Sequence, residues 1–287
     1  MEPYQHTSKF ARAGWTGWFP RPDRGRLRLT GGDALEFLQA LVTNDVAALQ
    51  VGAACDAAYL TPQGRMITDL LVYRGADEVL LSVPVELASS LAMRLDFLVF
   101  TEDVQVADAS QLIHQITLVR GSLNESQDMF IDAEREAEVV AEFAAAGIPM
   151  IGAADVEGMR IAAGRARWGV DMNEETIPLE AGLLERMISQ SKGCYVGQEV
   201  IVRVLHRGGG RVAKRLMRIA LAGTAEVPAA GTPITHEGAQ VGHVTSAAHV
   251  QHPSRVIALG YIARDQANEG SAVMVGGVHA TLGAACN

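Results

Sequence analysis

Cysteine is scarce in this chain, and the scarcity excludes more than any other feature of its composition. Cys55, Cys194 and Cys286 are odd in number, far apart and without a CxxC pair, so neither a disulfide framework nor a zinc site closed by cysteines is expected. Iron–sulfur clusters are usually held by four thiolates, which a chain with one well-placed thiol does not supply. Any such cluster would need ligands from a partner. Long apolar runs are missing too: none approaches the roughly 18 residues of a membrane helix, and Lys9 and Arg12 are followed by no apolar signal segment. These absences and the cysteine usage point to a reducing compartment, the cytoplasm. Basic charge is in deficit, with 24 Lys and Arg against 33 Asp and Glu. That balance argues against a chain-wide nucleic-acid surface, because such binding rests on neutralising phosphates. A GxGxxG and a regular βαβ alternation are both lacking, so a dinucleotide fold is not expected.

What is present is the composition of a soluble globular protein, 48% apolar and 20% charged. The 287 residues suit two or three subdomains. Residues 1–23 hold Trp15, Trp18, Phe19, Pro20 and Pro22 without periodicity and read as an irregular arm. From Arg26, RLRLTGGD reads as a short strand and glycine turn, after which Asp33 caps a helix with the apolar face Ala34, Leu35, Phe37, Leu38, Leu41 and Val42. A hairpin is predicted from Met66 to Tyr73 and Val79 to Val83 across GADE, then a helix from Val85 to Leu98 and strands near Val104 and from Leu112 to Val119. A further helix runs from Ala133 to Ala146, capped by Asp132, with Glu134, Glu136 and Glu138 at its positive end and Gly147 and Pro149 beyond it. The class is α+β. Beyond Gly208 to Gly210, apolar runs at Leu216 to Leu221, Val241 to Thr245, Val256 to Ile262 and Ala272 to Leu282 alternate with turn signals and predict a small antiparallel β-barrel or sandwich. The glycine triplet divides the chain into residues 1–207, of two subdomains, and a C-terminal barrel over 208–287.

Cys194 lies in KGCYVGQE, Lys192 to Glu199. Thiolate is the form that attacks electrophiles and binds metals, and a neighbouring lysine favours it. Gly193 and Gly197 permit a tight turn or close approach, and Gln198 and Glu199 set an amide and a carboxylate near the sulfur. An inert buried cysteine in a glycine-punctuated turn is the alternative on these residues alone. His206, with Arg203 and Arg207 beside it, would make a nucleophile and base pair with Cys194, or simply an arginine-rich strand end. His243, His249 and His252 have no metal-ligand spacing and read as surface or loop residues. Arg65, Arg74, Arg160, Arg165, Arg167 and those from Arg203 to Arg218 read singly as solvated charge, although a converging subset could clamp an anion through forked hydrogen bonds. Trp168 is either a stacking face for a planar heterocycle or a partly buried core residue.

Five blocks carry a resemblance: GGDALEFLQALVTNDV from Gly31, LTPQGRMITDLLVYR from Leu60, RIAAGRARWGVDMNEETIPLEAGL from Arg160, the octapeptide, and VLHRGGGRVAKRL from Val204. In this order, over nearly the whole chain, they resemble the YgfZ-type folate-binding proteins, relatives of the aminomethyltransferase (T-protein) of glycine cleavage. The resemblance implies a T-protein-like fold with ferredoxin-like N-terminal parts and a C-terminal antiparallel β-barrel. It also implies a tetrahydrofolate site. A flat pterin with an anionic tail calls for an apolar slot, a carboxylate and arginines, which Arg65, Arg160, Trp168 and Glu180 would supply. It further implies an accessory role in iron–sulfur cluster assembly or repair, with assembly proteins and client cluster enzymes, tRNA-modifying ones among them, as partners. Cys194 would be the working thiol and a transient ligand, Lys192 its tuner, and Gly193, Tyr195, Gly197, Gln198 and Glu199 the motif loop. No permanently bound metal is expected, and neither nucleic acid nor membrane is an expected partner. Two departures matter. Ser82 to Ser90, SVPVELASS, lacks the aspartate of T-proteins, which speaks against aminomethyl transfer and leaves a tetrahydrofolate-dependent one-carbon transferase as the alternative. Ala162 stands where many relatives have a carboxylate, so weakened folate binding is expected.

Overall fold

The computed structural model describes residues 14–206, 209, 211–223, 226–251 and 253–286. It has two compact units, one of residues up to Phe37, Ala48–Ala54 and Leu70–Val156, the other of Leu38–Ala47, Cys55–Asp69 and Glu157 onward. The α+β expectation holds.

In the first unit the supposed arm is partly a strand. β1 (Gly17–Pro20) precedes β2 (Arg24–Thr30), and Trp18 and Phe19 are both buried. Gly17 is required, since a Cβ there would lie 2.6 Å from Ile151 Cγ1. Four residues are too few to show a period, which is why the strand was not legible; residues 1–13 lie outside the described residues. α1 (Ala34–Leu41) follows as predicted, with Ala34, Phe37 and Leu38 buried at helical spacing. Asp33, expected to cap it, instead accepts a hydrogen bond from the Asp103 N–H at 2.8 Å. Next come β3 (Ala54–Leu60), β4 (Met66–Arg74), β5 (Glu78–Pro84), α2 (Ala88–Phe97), β6 (Gln105–Asp108), β7 (Ile113–Arg120), β8 (Ser122–Asp132), α3 (Glu136–Ala145) and α4 (Ala153–Ala162). The order β3-β4-β5-β2-β6 makes one sheet and β1-β7-β8 another. Within β3 and β4 the chain passes between the units. β8, SLNESQDMFID, is mostly polar and went unpredicted because it is an edge strand, with one neighbour and a wet face. Ile116, Leu118, Ile131, Val139 and Phe143 make the core between this sheet and α3. Asp132 gives no side-chain cap; a turn of 3-10 helix, Ala133–Arg135, leads into α3 instead.

The second unit contains α5 (Leu184–Met187), α6 (Gln198–His206) and β9 (Lys214–Leu221), β10 (Pro233–His236), β11 (Ala239–Gln251), β12 (Ser254–Ala263), β13 (Ala272–Val275) and β14 (Val278–Ala285). These six strands close an antiparallel barrel in the order β10-β11-β12-β9-β14-β13. Closure leaves no edge. Its interior holds Met217, Ile219, Ile234, Val244, Val256, Val273 and Leu282. The apolar run from Ala272 to Leu282 is a hairpin that turns at Gly276 and Gly277, which both take positive φ, 55° and 88°. Gly208, Gly210, Arg207 and His252 lie outside the described residues.

Candidate functional site

The octapeptide sits in the second unit as a strap fixed at both ends. Its C-terminal fixing is steric. Tyr195 is buried in a cluster with Ala58, Leu60, Met66, Met172, Leu183 and Ile201, and burial pushes its phenol up to about 12. Gly197 has φ 83°, and a Cβ on it would stand 2.5 Å from the Thr61 carbonyl oxygen. That carbonyl belongs to the turn between β3 and β4, closed by the Gly64 N–H donating to Thr61 O at 2.8 Å. Gly64 in turn faces Val200 with no room for a side chain. Two glycines therefore let two backbones approach. Gln198, half-buried, then opens α6, on which Ile201 is buried and Glu199, Val202, Arg203 and His206 form the exposed face.

The N-terminal fixing is polar. The Lys192 side chain is buried, and its Nζ donates to the carbonyl oxygens of Gln39 (2.7 Å), Val42 (2.7 Å) and Asn44 (2.9 Å). An ammonium has three N–H donors, and all three are engaged. Burial holds Lys192 down at about 8. The contacts of Lys192, expected to tune Cys194, are instead with main-chain oxygens at and just past the end of α1, and the thiol its charge acts on is Cys55. The seam continues with Thr43 Oγ1 donating to Met187 O at 2.6 Å, Asn44 Nδ2 to Arg186 O at 3.2 Å and the Ser189 N–H to Thr43 O at 3.1 Å.

Between the fixings Cys194 is exposed. Gly193 beside it faces open space and has no positive φ. The other two thiols differ. Burial pushes Cys55 up to about 12, with Asp56 adding to it, and burial also pushes Cys286 up to about 12. Both are held as thiols, so Cys194 is the outward one. His206 ends α6, roughly 12 Å of helix rise from the end that follows Cys194, and no hydrogen bond joins the two side chains among the described residues. Among the described residues no group of three or more His, Cys, Asp and Glu side chains is placed to hold a metal ion.

A second group of polar side chains gathers around Glu180, also in this unit. The Glu180 side chain is buried, and burial raises its carboxyl above the ordinary range while Lys214 and Arg65 act against the rise. The Tyr261 side chain is buried, with the Lys214 Nζ 4.4 Å from its ring centroid. Its hydroxyl feels the Thr176 side chain and Glu180 but has no group at full hydrogen-bonding distance. A buried unpaired hydroxyl is costly unless something else pairs it. Arg65 is exposed and donates to Glu175 O, and Trp168 is half-buried against the Tyr195 cluster. Tyr261 and Lys214 were not legible as site residues: they lie on barrel strands, and the register Tyr261↔Leu216 sets them near each other across the sheet.

Arg160 does not join that group. Its Nε and Nη2 donate to Glu157 at 2.9 and 2.8 Å, Nη1 to Arg165 O and Asp171 Oδ2 at 2.5 and 2.6 Å, and Nη2 also to Ser246 Oγ at 2.8 Å. All five guanidinium N–H groups are paired. This corrects the expectation that Arg160 reaches an anionic ligand. Ala162, at the end of α4, is exposed.

Fold and site together define a T-protein-like protein. Residues 21–121 match the GCVT N-terminal domain and residues 214–282 the glycine cleavage T-protein C-terminal barrel domain. The crystal structure of glycine cleavage system aminomethyltransferase T from Bartonella henselae superposes with a TM-score of 0.80 over 97% of this chain and 88% of that one, at 17% identity. A chloroplastic protein of Arabidopsis thaliana that carries a transferase name is 29% identical, over 88% of this chain but only 66% of its own length. Aminomethyltransferases of Synechocystis and other bacteria match at 25–27% over 90% of the chain. The iron–sulfur cluster assembly factor IBA57 homolog of Mycosarcoma maydis is 29% identical over 71% of this chain and 57% of its own.

Proposed function

We propose that this chain is a YgfZ-type, folate-binding accessory factor in iron–sulfur cluster assembly or repair, with Cys194 as its working thiol. The observation that carries the reading is one exposed cysteine on a strap fixed at both ends. A thiol so held is accessible to another protein's cluster or ligand set, whereas Cys55 and Cys286 are kept protonated by burial. The likeness to an iron–sulfur assembly factor supports the same direction. Because one thiol does not complete a cluster site, the other ligands come from assembly proteins or client cluster enzymes, including tRNA-modifying enzymes of the cytoplasm. Nucleic acid and membrane have no direct part in this scheme.

The residues around Glu180 fit tetrahydrofolate. The unpaired Tyr261 hydroxyl and the buried Glu180 carboxyl are groups that a pterin's donors and acceptors would satisfy, and Lys214, Arg65 and Trp168 offer cations and an aromatic face. When bound, the folate would supply one-carbon carrying capacity. The chain's own contribution is to bind and orient it. The second reading is a tetrahydrofolate-dependent one-carbon transferase, favoured by the aminomethyltransferase likenesses and disfavoured by the absence of an aspartate from Ser82 to Ser90.

The test is cluster content and activity of client enzymes in cells whose own copy is replaced by Cys194→Ala. Loss comparable to deletion is expected. Normal client activity, together with folate-dependent turnover of a methyl or aminomethyl donor by the purified variant, would establish the transferase instead.

A further inference from the structure

We infer that Lys192 is a positioning residue, the C-terminal cap of α1 supplied from 150 residues away, and that this cap sets where Cys194 is presented; the functional part of the inference rests on Cys194 being the working thiol. A helix ends with carbonyl groups that lack intrahelical partners, and its C-terminus carries partial negative charge. A cation near the last turn usually answers both. α1 has no basic residue in its last turn. Lys192 provides one, reaching Gln39 O inside the helix and Val42 O and Asn44 O just past it. Its main-chain N–H meanwhile is held by Ser189 Oγ at 3.2 Å, and the Ser189 N–H is held by Thr43 O at 3.1 Å. Backbone and side chain of Lys192 are thus tied to one short connection, residues 42–44.

Three residues later the Tyr195 ring enters the core, its centroid 5.4 Å from the same Nζ. Only Gly193 and Cys194 lie between these fixings, and both are exposed. A span of two residues leaves the thiol little room to move relative to α1. Lys192 therefore acts on Cys194 through where the backbone runs. The thiol on which the Lys192 charge acts is Cys55, whose rise it opposes, while its three N–H donors are taken by main-chain oxygens.

The experiment compares Lys192→Met, Lys192→Arg and Cys194→Ala in the full chain. Amide hydrogen exchange in Lys192→Met should accelerate at least tenfold in both 41–46 and 192–196, with the barrel strands unchanged. Alkylation of Cys194 by iodoacetamide, a small neutral probe, should change less than twofold. Client-enzyme activity per molecule of folded protein should fall toward the Cys194→Ala level and recover in part in Lys192→Arg, which keeps a cation of similar reach. Unchanged exchange in 41–46 overturns the cap. A fivefold or greater drop in alkylation without faster exchange restores tuning and overturns positioning. If Lys192→Met does not fold, Lys192→Gln, which keeps two donors, carries the same exchange and alkylation comparison. Should Cys194→Ala itself leave client activity intact, the proposed function fails while the exchange data still decide the cap.

Discussion

Arg160→Met should strip a large share of this protein's stability without touching ligand binding. The Asp171 side chain is wholly buried and accepts from Arg160 Nη1, from Thr245 Oγ1 at 2.5 Å, from Ser246 Oγ and from the Arg167 N–H at 3.0 Å. Removing one partner of a buried ion pair leaves an uncompensated charge, which typically costs about 3–5 kcal/mol. Glu157 is also released, but it is a quarter exposed and water can take it over. Against a whole-domain stability of about 5–15 kcal/mol, the variant should unfold at a urea concentration lower by about 2 M, for a slope of about 2 kcal/mol per M. The double variant Arg160→Met with Asp171→Asn is the informative control. Asn keeps an acceptor for Thr245 and Ser246 yet carries no charge, so about 2 kcal/mol should return, a coupling well outside additivity for residues in contact. Urea titrations followed by circular dichroism read all four proteins. A loss below about 1 kcal/mol in Arg160→Met, or strict additivity in the double, would refute the claim that a stranded charge dominates. Tetrahydrofolate affinity at 20 °C should stay within twofold of the parent, since no donor of Arg160 is free to reach a ligand.

Two further outcomes follow from the same geometry. Gly197→Ala should destabilise by about 2–4 kcal/mol, combining the left-handed penalty of about 1–2 kcal/mol with the approach to Thr61 O. Gly193→Ala, facing open space, should stay within about 0.5 kcal/mol; differential scanning fluorimetry separates the two, and equal melting temperatures would contradict the strap's asymmetry. For Glu180 the folded carboxyl titrates above its unfolded value. The folded state thus holds the proton more tightly, so the contribution of Glu180 to stability is full below the unfolded value and is lost as pH rises through the folded one. Glu180→Gln should therefore gain stability relative to the parent between pH 4 and pH 7 in paired urea titrations. No relative gain would place the carboxyl in water instead of in the site.

How much was legible differs element by element. α1 could be read because eight residues are enough for i, i+3, i+4 burial to repeat, and the barrel because short apolar runs alternate with turn residues. β1 and β8 could not: one is four residues long and the other a polar edge, so neither shows a period. Cys194 was picked out by its glycine-flanked setting, and the structure keeps it outward. Neighbours in sequence misled at Lys192. Two residues from the thiol, its side chain leaves in another direction toward carbonyls that the sequence separates from it by 150 positions. Arg160 and Arg167 looked alike as charges near Trp168. One is enclosed with all its donors paired, while the other is exposed and bonds Glu157 at 3.0 Å.

The sequence by itself determined the class of fold and the barrel and singled out Cys194 among the three cysteines, because periodicity, turn chemistry and a local motif are properties of contiguous residues. Only the tertiary structure decided which cation meets which partner. Buried donors must be paired wherever the chain brings an acceptor, and that pairing joined Lys192 to the end of α1 and Arg160 to Asp171. It also brought Glu180, Lys214 and Tyr261 to one place, with the tyrosine hydroxyl buried beside Thr176.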